Sequence, residues 1–205
     1  MFGTGELCSR ILTASMDRRD FLRVSIATPF AWPAVRVGSD LSPQAAWLSY
    51  VRAPTSVNAF VAASSLPRRS HHPVSKTFSR AVDLHLGLLK RRVADGDRAA
   101  ALLAVRLHSA IHPGSSLGYL NYVIGTYIPV DPEAFLDLLH SHPHLIGNSK
   151  ILLNLGLDLV DDSQAQHLEV QRRIAALESV SRPHLSEVRR ETVAVLWDRA
   201  YPCAF

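Results

Sequence analysis

From Ser75 onward, apolar residues return every three or four positions, and the segments they mark are separated by helix-stopping residues. Val82, Leu86, Leu89 and Val93 form the first such stripe, the spacing that places side chains on one face of an α-helix. Gly96 and Asp97 then supply a stop and a new start, because glycine adopts the left-handed turn that ends a helix and aspartate accepts free N–H groups at the next one. Arg98–His112 carries Leu102, Val105 and Ile111 and is broken by Pro113-Gly114. Ser115 or Ser116 opens the next segment, through Leu120, Val123 and Tyr127, which Pro129 ends. Asp131-Pro132-Glu133 is a further start signal, ahead of Phe135, Leu138 and Leu139. The apolar run ILLNLGLDLV has no pairing partner in the sequence and reads as a helix. Asp161 or Asp162 caps a long helix with Leu168, Ile174 and Leu177 inside, and after Pro183 a last helix over Leu185–Tyr201 carries Val188, Val193, Leu196 and Trp197. No stretch alternates polar and apolar residues between hairpin turns. The pattern predicts an all-α fold of seven to eight helices, either a compact bundle or a short stack of helical hairpins.

Upstream of Ser75 the patterning is weaker. Ser42-Pro43 caps a short helix over Gln44–Arg52, with Trp47, Leu48 and Val51 on one side, and a second covers Val57–Ala63. SSLPRRSHHPVSK is a polar linker. Three regions follow: 1–38, 39–74 with the short helices and linker, and 75–205 as the helical domain. With 205 residues, 47% hydrophobic and 20% charged, the chain has enough apolar material for a packed core and is too apolar to stay disordered. No uncharged apolar run approaches the roughly 20 residues that span a bilayer. Cys8 and Cys203 are the only cysteines, so CxxC zinc and dithiol motifs are excluded. A net charge of +4 is too mild to indicate nucleic-acid binding. Its distribution is uneven: residues 66–92 hold seven Lys or Arg against one Asp, and 93–169 hold three against nine Asp or Glu, which solvated faces of different helices explain.

Residues 16–35, MDRRDFLRVSIATPFAWPAV, combine an arginine pair with an apolar run. Arg18-Arg19, followed by Phe21-Leu22 and Arg23, resembles the twin-arginine export signal, with Asp17 where Ser or Thr is usual and Arg23 where Lys is usual. Val24–Val35 is uncharged over twelve residues, a length that suits a signal h-region, and Pro29 and Pro33 oppose a stable helix there. Val37-Gly38-Ser39 is a tolerable cleavage site. Met16 opens the motif, so residues 1–15 read as an upstream-extended start. The resemblance implies export to the periplasm of a protein already folded, keeping Cys203 alone and so no internal disulfide; the alternative is a cytoplasmic protein with an amphipathic N-terminal helix.

Few residues promise chemistry. Gly114-Ser115-Ser116-Leu117-Gly118 fits G-x-S-x-G, but the nucleophile elbow needs a strand before the serine, and here a helix precedes it; serine capping of a turn explains it. His108 and His112 are four apart on one helix, and His140, His142 and His144 alternate after the Asp131 helix. If the two segments meet, three or more imidazoles converge as candidate metal ligands. No Glu follows His108, so the zincin base is missing, and helix-end or surface histidines are the simpler reading. Asp158, Asp161 and Asp162 lack the spacing of a calcium loop. Arg172-Arg173 with Arg189-Arg190 suggests a basic patch without the aromatics of a single-strand nucleic-acid surface. Tyr119 and Tyr122 share a helix face. No catalytic set, cofactor motif or nucleic-acid partner is expected.

RPHLSEVRRETVAVL is similar to the second half of a HEAT-type repeat, without a period elsewhere. The 75–205 region also resembles bacterial all-helical proteins that carry no assigned activity. MDRRDFLR and DLSPQAA look like the front of small subunits of exported redox enzymes, such as membrane-linked gluconate dehydrogenases. The expectation is a non-catalytic exported helical protein working through protein contacts, with the translocation machinery and an unidentified protein as partners and no integral span after signal removal. The alternatives are an accessory subunit of an exported redox enzyme, or a histidine-based metal-binding protein.

Overall fold

Most helices begin where a short polar side chain turns back onto free backbone N–H groups. Ser42 accepts from Ala45 at the head of α1 (Pro43–Arg52), Thr55 from Asn58 at α2 (Ser56–Ser65), and Ser75 from Phe78 at α3 (Lys76–Asp83). After α4 (Leu86–Ala94), Asp97 accepts from Ala99 and Ala100 to start α5 (Arg98–Ala110). Then come α6 (Ser115–Thr126), α7 (Pro132–Ser141, capped by Asp131), α8 (Ser149–Leu152, capped by Asn148), α9 (Ser163–Glu178, capped by Asp162) and α10 (Ser186–Ala200). Each side-chain cap stabilises its helix by about 1 kcal/mol. Short 3-10 turns at Pro143–Leu145 and Pro183–Leu185 lead towards α8 and α10. This computed structural model describes residues 41–67, 74–111, 114–156, 159 and 161–200, and no strand lies among them. The all-α architecture expected from the sequence is therefore present.

Among the described residues there are ten α-helices, more than the seven to eight expected. The single stripe from Val82 to Val93 is broken at Leu84–His85, where His85 leaves helical geometry (φ −127°, ψ 11°), giving α3 and α4. ILLNLGLDLV is not a ten-residue helix. Among its described residues the α-helix stops at Leu152: the Leu152 and Asn154 carbonyls turn towards Arg173, and Gly156 takes φ +86° against the Tyr122 ring. Three apolar assignments are also corrected. Leu168 is 57% exposed, and Val170 and Arg173 hold the inner face of α9; Trp197 is 46% exposed; Leu48 is exposed while Trp47 and Tyr50 point inward.

The described residues form one compact unit with one continuous core. α1 and α2 make a hairpin, and α2 lies against α5. The buried residues along these two helices are largely alanines, Ala59, Ala62 and Ala63 on α2 and Ala99, Ala100, Ala101 and Ala104 on α5, which permits close backbone approach. The Trp47 indole N–H donates to the Ala81 carbonyl (3.1 Å) and ties α1 to α3. α6 packs on α4, α5 and α8, and α7 to α10 pack among themselves. The ends of α5 and α7 meet, and the site below is built there.

Candidate functional site: histidines where α5 meets the turn after α7

The C-terminal turn of α5 is too polar to be simple core. Leu103, Ala104, Leu107 and Ala110 occupy its inner face, so Arg106, His108 and Ser109 fall at the boundary with neighbouring elements. Arg106 reaches over to the end of α2, donating from Nη2 to the Leu66 carbonyl (2.8 Å) and from Nε to the Ala63 carbonyl (3.4 Å). Carbonyls at a helix end lack partners within their own helix, and the guanidinium supplies two donors at once.

His108 is half-buried beside α6, its Nε2 2.9 Å from Oδ1 of the buried Asn121. An amide oxygen only accepts, so Nε2 carries the proton and Nδ1 is the bare nitrogen. Ser109 Oγ donates to the Val105 carbonyl (3.1 Å) and lies 3.0 Å from His144 Nε2. With its proton committed to Val105, the hydroxyl accepts from His144. His142 uses Nδ1 to donate to the Leu138 carbonyl (2.9 Å). The His142 and His144 rings meet edge to face with centroids 6.2 Å apart. Gly147 (φ +73°) closes the turn, and a side chain there would touch Val195 of α10 at 3.7 Å.

The electrostatics follow from this packing. Burial lowers the pKa of His108 below the ordinary imidazole range, opposed by its bond to Asn121 and reinforced by the charge of His144. Burial also lowers that of His142, opposed by the Leu138 bond and reinforced by Arg106 and His144. Both rings are thus held neutral at pH values where a solvated histidine begins to charge.

Of the sequence candidates, His108, His142 and His144 come together. His112 lies outside the described residues, as do Arg18, Arg19, Phe21 and Leu22 of the export motif, both cysteines and Asp158. His140 stands apart and pairs with His184 (ring centroids 6.3 Å), whose Nε2 is 3.5 Å from Asp137. Among the described residues, no three His, Cys, Asp or Glu side chains converge as a metal-ligating group. Asp162 is a helix cap. G-x-S-x-G begins α6 with no strand before it among the described residues. The Arg172-Arg173 patch is corrected: Arg173 is buried, bonded to Glu169 and to the Leu152 and Asn154 carbonyls, while Arg172 stays on the surface. Tyr119 and Tyr122 do share a face, edge to face at 6.0 Å, and Lys90 Nζ lies 4.6 Å above the Tyr122 ring.

Sequence reasoning missed Arg106, Ser109 and Asn121, and it placed Arg173 in a surface patch rather than in the interior. Only Arg173 leaves a readable sign: it stands three residues after Val170 and four before Leu177, on the inward stripe of α9. No described helix is long and apolar enough to cross a membrane. No family model matches the chain, and neither a curated protein nor a solved structure is detectably similar to it.

Proposed function

We propose that this chain is a non-catalytic helical protein, exported by the twin-arginine route, that works by binding another protein. The observation that carries the contact reading is Trp197, 46% exposed near the end of α10. α9 and α10 form an antiparallel hairpin in which Leu177 and Val188 face the core near the turn. Nine residues further from the turn on each helix stand Leu168, 57% exposed, and Trp197. Tryptophan is the residue type most enriched among interface hot spots, and its large apolar surface gains most from being covered.

Support for export is the Arg18-Arg19-x-Phe21-Leu22-Arg23 pattern with the uncharged Val24–Val35 run after it. Fractionation of cells expressing the full chain tests it. The wild type is expected in the periplasm, shortened near residue 38, and Arg18→Lys with Arg19→Lys in the cytoplasm. An uncleaved cytoplasmic wild type refutes export. Affinity capture from the same periplasmic extract tests the contact reading. A partner retained by wild type and lost with Trp197→Ala supports it; equal capture by both refutes the assignment of the contact to Trp197. The likeness of MDRRDFLR and DLSPQAA to small subunits of exported redox enzymes favours a second reading, in which the captured partner is a flavin- or molybdenum-bearing dehydrogenase. Zinc at modest excess is expected to leave the melting temperature unchanged; a rise of several degrees, lost in His108→Ala, would instead favour a histidine-based metal-binding protein.

A further inference from the structure

We propose that Arg106, His108, His142 and His144 form an acid-operated latch, which releases the turn at 142–147 from α5 when the imidazoles take up protons. The groups facing the imidazoles are mapped on each side. α5 contributes Arg106 and the Ser109 hydroxyl, α6 contributes Asn121, α7 contributes the Leu138 carbonyl, and α10 meets the turn with the apolar Val195. Among the described residues, none of the three histidines is ion-paired with a carboxylate; the only histidine in such a pair is His184. Among the described residues, the permanent charge acting on them is the Arg106 guanidinium beside His142.

Hydrogen bonding does not oppose protonation. His108 and His142 each already donate from the nitrogen that faces their partner, so an incoming proton goes to the bare nitrogen and no donor has to become an acceptor. What changes is electrostatic. Imidazolium charges accumulate beside one another and beside a permanent guanidinium, two of them at half-buried positions where solvent screens them poorly.

The weakest attachment determines where the structure yields. α5 is anchored by a row of buried residues from Ala99 to Ala110, and Arg106 binds it to α2. Among the described residues, the side-chain bond that joins the turn to α5 is His144 to Ser109, and of its 3-10 segment Leu145 is buried. Lifting the turn lets water reach His142 and His144 and relieves the repulsion. The sign follows from linkage. The closed state holds His108 and His142 below the ordinary value near 6.5, so it binds fewer protons than the open state, and opening is favoured as pH falls below about 6.5. Each histidine that is neutral when closed and charged when open shifts the opening equilibrium by up to tenfold per pH unit. For His142, which leaves α5 with the turn, that is up to tenfold between pH 6 and pH 5.

Amide and imidazole NMR of the full chain between pH 7.5 and 5 tests the latch. The imidazole signals of His108 and His142 are expected to move with the amides of Ser109, Leu145 and Gly147, with a shared midpoint below 6.5, while the amides of α1 stay in place. In the doubly substituted His142→Gln, His144→Gln chain, glutamine keeps a donor but cannot charge, and the midpoint should fall or vanish. His144→Gln alone, at an exposed position, serves if the double variant does not fold, and its midpoint should also fall. Protonation of His108 and His142 with the turn amides unmoved overturns the proposal, as does an unchanged midpoint in the variants.

Discussion

Gly118 and Gly125 lie seven residues apart in α6, and replacing each with alanine should have opposite effects. Alanine is favoured over glycine inside a helix by at most about 1 kcal/mol, because glycine loses more backbone freedom on folding. At Gly118 nothing lies within 4 Å of the added methyl, so that preference should appear undiluted. Gly118→Ala is expected to stabilise the fold by about 0.5–1 kcal/mol. At Gly125 the same methyl would stand 2.6 Å from the Ile151 carbonyl oxygen and 3.0 Å from Arg173 Nη1. A backbone oxygen cannot rotate away as a side chain can. α8 would have to retreat by close to an ångström, and it carries the Leu152 carbonyl that accepts from Arg173 at 2.7 Å. Overpacking of this kind costs about 1–3 kcal/mol, and a weakened charge-assisted bond adds a share of its own 1.5–3 kcal/mol or so. Net of the propensity gain, Gly125→Ala should lose about 2 kcal/mol. At roughly 2–4 °C per kcal/mol for a chain of this size, its melting temperature falls by about 4–8 °C while that of Gly118→Ala rises. Urea unfolding followed by circular dichroism at 222 nm measures both. A Gly125→Ala protein as stable as wild type would refute the close approach of α6, α8 and Arg173 on which the estimate rests.

Arg173→Met should cost about 3–5 kcal/mol, because it strands the Glu169 carboxylate and two carbonyls that the guanidinium serves; a loss under 1 kcal/mol in the same urea experiment would refute that role. Tyr50→Phe should be neutral or stabilise by up to about 1 kcal/mol. The Tyr50 hydroxyl is buried with no hydrogen-bond partner among the described residues, and burial first, then the charge of Asp97, pushes its pKa up to about 12; destabilisation beyond 1 kcal/mol would mean the hydroxyl is bonded. Far-UV circular dichroism of residues 39–205 should show helix without the 20–25% or so of strand typical of an average domain.

Helix starts were largely legible because they depend on a few adjacent atoms. Ser42, Asp97 and Asp131 were readable as caps since a side-chain oxygen and the N–H groups two or three residues ahead suffice to make one. Burial was less legible. Leu168 sits on α9 at a position that apolar spacing assigns to the core, yet Val170, Arg173 and Ile174 take the inner face. The reason is chemical: two carbonyls from the non-helical end of α8 require donors, and an arginine on α9 meets that need from inside. The carbonyls face inward because Asn154 binds the Gly118 carbonyl and Gly156 packs on Tyr122. These are contacts across 36 and 34 residues, which no local pattern encodes.

The histidine cluster shows the same division. The i, i+4 pair His108 and His112 and the alternating His140, His142 and His144 were visible as two groups, and that α5 and α7 meet was geometrically open. Which rings would join depended on where the chain leaves α7. His142 ends that helix with φ −133° and ψ 66°, and the following 3-10 turn swings His144 back to Ser109 on α5. His140, two residues earlier and still helical, is carried to the other side, towards His184. Alternation would have placed 140, 142 and 144 on one face of a strand. A helix end followed by a 3-10 turn instead divides them, and the division is what sets three imidazoles against one arginine with no carboxylate paired to them among the described residues.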